Sequence, residues 1–142
     1  MRLVFDTNVW LDWLVFDDPG VAHLRAAVAR GNAEVWMDEA CLAELARVLS
    51  YPLRRTELDA EVQAAHIRTA TSVARLLDRG QASCPSGPLP LCRDADDQKF
   101  LELARDCVAH ALLTRDMALL ELARSRQRPV PFRILRPADL AF

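Results

Sequence analysis

The stretch Leu3-Val4-Phe5-Asp6-Thr7-Asn8-Val9 decides the fold, because it joins an apolar strand to a helix through a carboxylate. The apolar run before Asp6 is typical of a buried strand, and we predict a strand over residues 2–6. From Val9 onward apolar residues recur at helical spacing, so a helix follows after one tight turn. Asp6 therefore stands at a strand end, where an open α/β sheet gathers its ligands.

The same alternation of short apolar runs and helical periodicity continues along the chain. Asp18-Pro19 and Asp38 are typical helix starts, Thr56 is a plausible cap and Gly80 a plausible terminator. A parallel sheet built from βαβ units with right-handed crossovers is expected from this order. The predicted elements after the first helix are helices at 19–30, 39–49, 56–78, 95–107 and 117–125, strands at 34–37, 111–113 and 132–135, a proline-rich loop at 81–93 and a short helix after Pro137.

The bulk composition describes a soluble globular protein. The 142 residues are 51% hydrophobic and 27% charged, and length priors predict a single domain over residues 1–142. No apolar run approaches the roughly 20 residues of a membrane span, and the N-terminus enters a strand without a signal-peptide pattern. We therefore expect no membrane association and a cytoplasmic location.

The charge distribution leaves two readings open. Net charge is −2 at pH 7, so the overall charge of the chain does not indicate nucleic-acid binding. Residues 1–50 hold 4 basic and 8 acidic side chains, whereas residues 51–142 hold 14 and 12. The second part could form a local phosphate-facing surface around an acidic centre, or simply a normally solvated surface.

Cysteines and histidines give no sign of a zinc or disulfide framework. The four cysteines, at positions 41, 84, 92 and 107, contain no close Cys-x-x-Cys pair, and no secretory signal accompanies them. We predict free thiols.

Acidic side chains recur where strands end or helices begin. Besides Asp6, Glu44 lies at the edge of an otherwise apolar helix face, and Asp116 follows the apolar run at 111–113. Each has an ordinary explanation, as a turn, a solvated rim residue or an N-cap. Their recurrence favours a divalent-metal site, because clustered carboxylates repel one another unless a cation lies among them.

A third acidic group, Asp94, Asp96 and Asp97, opens the helix predicted at 95–107. Asp94 is well placed to be the N-cap, and Asp97 shares a face with Phe100 and other core-type residues. We therefore rank Asp97 first as a metal ligand, with Asp94 and Asp96 as alternates.

Taken in order, four segments resemble the motifs of the PIN-domain family, and more closely its bacterial toxin-type members. The segments are Asp6-Thr7-Asn8-Val9, the helix Cys41-Leu-Ala-Glu-Leu-Ala-Arg-Val-Leu49, the run Arg93-Asp-Ala-Asp-Asp-Gln-Lys-Phe-Leu-Glu-Leu-Ala104, and Leu112-Leu-Thr-Arg-Asp-Met-Ala-Leu-Leu120. Ala95 stands where the family commonly has proline, and Met117 where it often has a charged residue. Neither departure removes a carboxylate.

The resemblance implies a three-layer α/β/α, Rossmann-like PIN fold around a central, mainly parallel sheet. It also implies a divalent-metal-dependent nuclease, usually an endoribonuclease acting as the toxin of a toxin–antitoxin system, with an RNA substrate, an antitoxin partner and a homodimeric state. The implied metal-binding and catalytic acids are Asp6, Glu44, Asp97 and Asp116, holding Mg²⁺ or Mn²⁺.

Four further residues are candidates for orienting the substrate: Thr7, Asn8, Lys99 and Arg115. Two rival functions stay open. One is a catalytically weak module that binds nucleic acid or a partner through the same acidic pocket. The other is an Asp-based phosphoryl-transfer domain of haloacid-dehalogenase or receiver type. The dehalogenase type expects a second aspartate where this chain has Asn8, and the receiver type expects an acidic pair before the strand and a late lysine.

Overall fold

An all-parallel sheet of five strands forms the centre of the computed structural model, which describes residues 1–80, 87–126 and 129–142. The spatial order is β3-β2-β1-β4-β5, so β1 is the middle strand, and Leu3 lies opposite Val35 on one side and Ala111 on the other. The strands are β1 (Arg2–Phe5), β2 (Glu34–Met37), β3 (Ala74–Leu76), β4 (Ala111–Leu113) and β5 (Arg133–Leu135).

Helices connect these strands, and the predicted three-layer α/β/α arrangement around a parallel sheet is confirmed. Over the residues that the structure describes, no helix is long and apolar enough to cross a membrane. The α-helices are α1 (Thr7–Leu14), α2 (Ala22–Ala29), α3 (Glu39–Leu49), α4 (Ala60–Val73), α5 (Gln98–Asp106) and α6 (Met117–Leu120), with short 3₁₀ turns at Pro19–Val21, Ala95–Asp97, Glu121–Arg124 and Pro137–Asp139.

The core sits on both faces of β1 and β4. Leu3, Val4, Leu112 and Leu113 are completely buried, and fully burying such a side chain stabilises the fold by roughly 1.5–3 kcal/mol. Trp10 of α1 packs edge-on against Phe5, with ring centroids 5.3 Å apart. This packing fixes the start of α1 against the end of β1, where Asp6 lies.

Aspartates begin several helices by accepting a backbone N–H that would otherwise lack a partner. Asp6 accepts from Val9 at 2.9 Å, and Asp38 accepts from Cys41 at 2.9 Å. Since each of these residues directly follows a strand, capping also carries the carboxylates to the carboxyl edge of the sheet. The direct pairing of β1 with β4 brings the segments that follow them together at this edge.

The helix predicted at 56–78 is wrong at both ends. Asp59, not Thr56, caps α4, and Thr56 instead lies in a tight turn with Leu53. The helix ends at Val73 because Ala74 is extended, and Ala74–Leu76 forms the edge strand β3. A three-residue strand is too short to show alternation, so the helical pattern before it was extended through it.

Smaller differences concern helix starts and ends. The helix predicted at 95–107 begins with the 3₁₀ turn Ala95–Asp97, and the helix predicted at 117–125 becomes a 3₁₀ turn after Leu120. Residues 87–93 of the predicted loop contain neither helix nor strand, and the rest of that loop, with Cys84, lies outside the described residues. The other three cysteines are free, as predicted, and all three are buried.

Candidate metal centre

Three aspartates meet at the carboxyl edge of the sheet and form what we call the three-aspartate cluster: Asp94, Asp97 and Asp116. Each offers one carboxylate oxygen, and these oxygens all lie within 4.8 Å of one another. Asp94 is held at the start of the 3₁₀ turn by a 3.0 Å hydrogen bond from the Asp96 amide, and Asp116 is held at the start of α6 by one of 2.8 Å from Ala118. Local capping thus holds Asp94 and Asp116, and the 3₁₀ turn Ala95–Asp97 brings Asp97 beside them.

Asp97 is the acid in this cluster whose charge is least compensated by the protein. Burial, a hydrogen bond with Asp116 and the negative charges of its neighbours, including Asp94, raise its pKa from 3.8 to about 7. Its Oδ2 atom is buried and has no hydrogen-bond partner among the described residues. Hard carboxylate oxygens in this arrangement fit Mg²⁺ or Mn²⁺, and a cation would give Oδ2 the partner it lacks.

Asp6 lies beside this cluster and is almost completely buried. It accepts hydrogen bonds from the Thr114 hydroxyl and the Val9 amide. Burial raises its pKa to about 6 even though these two bonds lower it; the charge of Asp116 adds to the rise, and that of Arg115 opposes it. Asp6 is thus close enough to the cluster to respond to its charge.

Thr114 is a functional candidate that sequence reasoning missed. Its buried hydroxyl donates to Asp6 and accepts the Asp116 amide at 2.9 Å, so one side chain ties the end of β1 to the start of α6. A signal was present in the sequence, because a hydroxyl residue two positions before Asp116 directly follows a fully apolar strand. The bond to Asp6 spans 108 residues and could not be read from spacing.

Glu44 is close to the site but outside the cluster. The Lys99 ammonium lies 2.6 Å from its Oε1, Arg47 lies 3.7 Å from the same atom, and the Thr7 hydroxyl donates to its Oε2. Two of the predicted substrate-orienting residues, Thr7 and Lys99, therefore contact an acid of the protein itself. Glu44 is already neutralised in this structure, unlike Asp97.

The remaining predicted site residues, Asp96, Asn8 and Arg115, lie outside the three-aspartate cluster. Asp96 is exposed and does not belong to the group of convergent oxygens found among the described residues. Asn8 is exposed on α1. Arg115 pairs with the buried Asp12 and approaches Asp18 at 3.9 Å. The structure thus favours Asp97 and Asp94 over Asp96 in the third acidic group.

A second pair of buried acids, Asp38 and Asp106, has a different environment. Arg79 bridges them, with its Nη1 atom 2.7 Å from Asp38 and its Nη2 atom 3.1 Å from Asp106. We call this group the arginine-bridged pair. Although burial alone would raise the pKa of Asp38, the hydrogen bonds from Cys41 and Arg79 hold it below its usual value.

Comparison with known proteins gives the class of this chain. A sequence profile described as the PIN domain matches residues 2–118, which is most of the chain. The protein therefore belongs to the PIN-domain family, as the four motifs indicated. PIN domains are generally nucleases, and they usually use divalent metals.

The fold is also found in a solved structure. The chain is similar to one in the crystal structure of VapBC2 from Rickettsia felis bound to a DNA fragment from their promoter, with a TM-score of 0.58 and 14% identity. The match covers 94% of this chain and 97% of that one. At this identity the likeness is one of fold. None of the curated proteins matches the chain significantly.

Proposed function

We propose that this PIN domain is an endoribonuclease that depends on Mg²⁺ or Mn²⁺ and acts as the toxin component of a toxin–antitoxin system. The observation that carries the proposal is the three-aspartate cluster, in which three carboxylate oxygens lie within 4.8 Å of one another and Asp97 Oδ2 is buried without a partner. The family supports a nuclease. The metal and the ribonuclease activity are our inference.

The acids divide the work of holding the cation. Asp97 and Asp116 supply the central oxygens, Asp94 supplies a third from the exposed side, and Asp6 supplies negative charge from the buried side. Glu44, which the motif resemblance also implies as a ligand, is held by Lys99 and contributes after that ion pair opens. Because the pKa of Asp97 is raised to about 7, this carboxyl group is only partly ionised at neutral pH, and cation binding would favour loss of its proton.

When bound, such a cation activates a water molecule and offsets charge on the scissile phosphate. The protein's own groups orient this chemistry. Thr114 fixes the Asp6 carboxylate, and the Ala118 amide fixes Asp116, so both acids are held before substrate arrives. Arg115, next to Asp116 in sequence and paired with Asp12, is our candidate for contacting the substrate phosphate.

The experiment is a cleavage assay on generic single-stranded RNA, with Mg²⁺ or Mn²⁺ and then with a chelator. We expect cleavage with metal and none without it. Asp6→Asn should abolish cleavage while the circular dichroism spectrum and Tm remain those of a folded protein. Asp96→Asn is the matched control, since it removes an exposed aspartate next to Asp97, and it should retain activity. Full activity in Asp6→Asn would refute the assignment, and RNA binding without metal-dependent cleavage would support the binding-module alternative.

The toxin role needs its own test in cells. The similar chain comes from the crystal structure of VapBC2 bound to a DNA fragment, and this likeness is the ground for proposing an antitoxin partner. Induced expression in the bacterial cytoplasm should arrest growth, and coexpression of an adjacent small open reading frame should relieve the arrest. Arrest by Asp6→Asn equal to that by the wild type would contradict this role. A homodimer is also proposed, and sedimentation velocity would show it.

A further inference from the structure

A cavity of about 380 Å³ lies beside the acidic site, between α1 and the segment that follows α3. We call it the Arg54 pocket. One wall is apolar, and the other carries amide, carboxylate and guanidinium groups. It is lined by Asn8, Leu11, Asp12, Phe16, Pro52, Leu53, Arg54 and Arg115.

The rim of this pocket is a two-residue turn with an unusual sequence. Leu53 and Thr56 exchange two backbone hydrogen bonds of 2.7 Å, and the residues between them, Arg54 and Arg55, have φ values of +45° and +68°. Turns with positive φ at both central positions favour Asn-Gly, because side chains are strained there. Two arginines at these positions lower the stability of the fold, and such strain is characteristic of functional positions.

The guanidinium of Arg54 is held over the pocket by stacking. It lies 3.8 Å from the centroid of the Phe16 ring. None of the ion pairs among the described residues includes Arg54. The pocket therefore presents an ordered positive charge that no carboxylate of the described chain neutralises.

Arg115 connects the pocket to the acidic site. The buried Asp12 holds its guanidinium on the pocket wall, and the residue is adjacent in sequence to Asp116. The absence of a side chain at Gly20 leaves space for the Arg115 guanidinium. A Cβ atom added to Gly20 would lie 3.1 Å from Arg115 Nη2 and 2.9 Å from Asp18 Oδ1, so these side chains would have to shift. The charge of Arg115 also lowers the pKa of Asp6, so the pocket wall lies within electrostatic range of the acids.

We propose that the Arg54 pocket binds one nucleotide of a single-stranded RNA, next to the phosphate that would be hydrolysed at the acidic site. This inference rests on the proposed ribonuclease function and names the contacts that hold its substrate. Arg54 contacts the phosphate of that nucleotide, and Phe16 and Leu53 receive its base on the apolar wall. A planar guanidinium suits a phosphate, and an aromatic ring beside it suits a base, so this pairing of groups favours RNA over an acidic peptide.

The test compares two glycine substitutions that relieve the same strain. Arg54→Gly removes the pocket guanidinium, and Arg55→Gly removes its neighbour, which does not line the pocket. Both should raise Tm, since glycine adopts positive φ freely. Binding of a fluorescent single-stranded hexaribonucleotide is measured by anisotropy in EDTA, so that cleavage plays no part. We expect Arg54→Gly to weaken binding about tenfold, as for loss of a strong phosphate contact, and Arg55→Gly to change it by less than about twofold.

Cleavage and metal binding distinguish this inference from the proposed function. Arg54→Gly should raise KM with kcat and Mn²⁺ affinity unchanged, because the substitution leaves the acids in place. Equal RNA binding by the wild type and Arg54→Gly, or an equal loss in Arg55→Gly, would overturn the pocket assignment even if the enzyme cleaves RNA. Arg54-dependent RNA binding without any metal-dependent cleavage would support the pocket and refute the nuclease. Absence of both binding and cleavage would overturn both.

Discussion

The arginine-bridged pair and the three-aspartate cluster are both groups of carboxylates brought together by the same fold, yet they have opposite electrostatics. Asp38 and Asp106 share the Arg79 guanidinium. Among the described residues, no lysine or arginine forms an ion pair with the three-aspartate cluster, and Asp97 Oδ2 has no hydrogen-bond partner. Burial acts on both groups, but the pKa of Asp38 is lowered and that of Asp97 is raised to about 7. The presence of an internal cation therefore distinguishes the arginine-bridged pair from the cluster that we propose as a metal site.

The largest expected effect is on the arginine-bridged pair. Arg79→Met leaves the buried Asp38 without its cation, while Asp106 keeps only the Arg105 guanidinium, 2.7 Å from its Oδ1 atom. The free energy of unfolding should fall by about 3 kcal/mol, measured by urea denaturation. Arg75→Met is the matched control, because Arg75 pairs with Glu34 at the surface and its loss should cost less than about 1 kcal/mol. Equal effects of the two substitutions would remove the distinction between a structural pair and a surface pair.

The second effect is a pH dependence carried by the metal-free site. Asp97 and Asp6 have pKa values of about 7 and 6 in the folded protein, against 3.8 for an unperturbed aspartate. A carboxyl group with a raised folded pKa stabilises the fold fully below its unfolded pKa, and this stabilisation is lost as pH rises through the folded pKa. Metal-free protein should therefore lose stability between about pH 4 and pH 7, and saturating Mg²⁺ should reduce that loss. An unfolding free energy that does not change between about pH 4 and pH 7 in the presence of a chelator would contradict the raised pKa values of Asp97 and Asp6.

A smaller effect on the free energy of unfolding is expected for Asp97→Asn, and it is a gain, whereas Arg79→Met gives a loss. Asp97→Asn removes one of three mutually repelling charges, so the metal-free protein at pH 8 should gain about 1 kcal/mol in unfolding free energy. The same substitution should abolish the stabilisation that Mn²⁺ gives the wild type, because it removes a central ligand. Thermal shift with and without Mn²⁺ measures both quantities. A destabilised metal-free Asp97→Asn would place Asp97 with the structural acids.

The smallest effect concerns Glu44, which is paired with a cation, as Asp38 and Asp106 are, but lies close to the three-aspartate cluster. Lys99→Met removes the ammonium 2.6 Å from its carboxylate and returns a negative charge to the edge of the site. Mn²⁺ affinity, measured by calorimetry, should increase a few-fold, since an additional acid then faces the cation. Unchanged or weaker affinity would mean that Lys99 supports the metal site rather than neutralising one of its acids.

Much of the fold could be predicted from local pattern. The apolar runs of β1, β2 and β4 and the capping residues Asp18 and Asp38 were predicted correctly, because each signal lies within a few adjacent residues. The edge strand β3 was missed because three residues after a long helix carry too little pattern. That residues 1–142 form one domain stays a prediction.

The candidate site was predictable in its acids but not in their partners. The recurrence of acids after strands selects Asp6 and Asp116, and helical faces rank Asp97 above Asp96, so those residues could be chosen from sequence. The pairing of β1 with β4, which brings Asp6 near Asp116, comes from the structure. The Lys99 contact to Glu44 and the Thr114 contact to Asp6 join residues 55 and 108 positions apart. Only the packed structure shows that Glu44 is neutralised while Asp97 is not.

The most direct measurement is anomalous diffraction from crystals soaked in Mn²⁺, because it locates the cation relative to both groups of acids. We predict a Mn²⁺ ion about 2.1 Å from oxygens of Asp97 and Asp116, with Asp94 or Asp6 nearby, and none at Asp38 and Asp106. A three-aspartate cluster that remains empty at saturating Mn²⁺, or an ion bound at the arginine-bridged pair instead, would contradict the account.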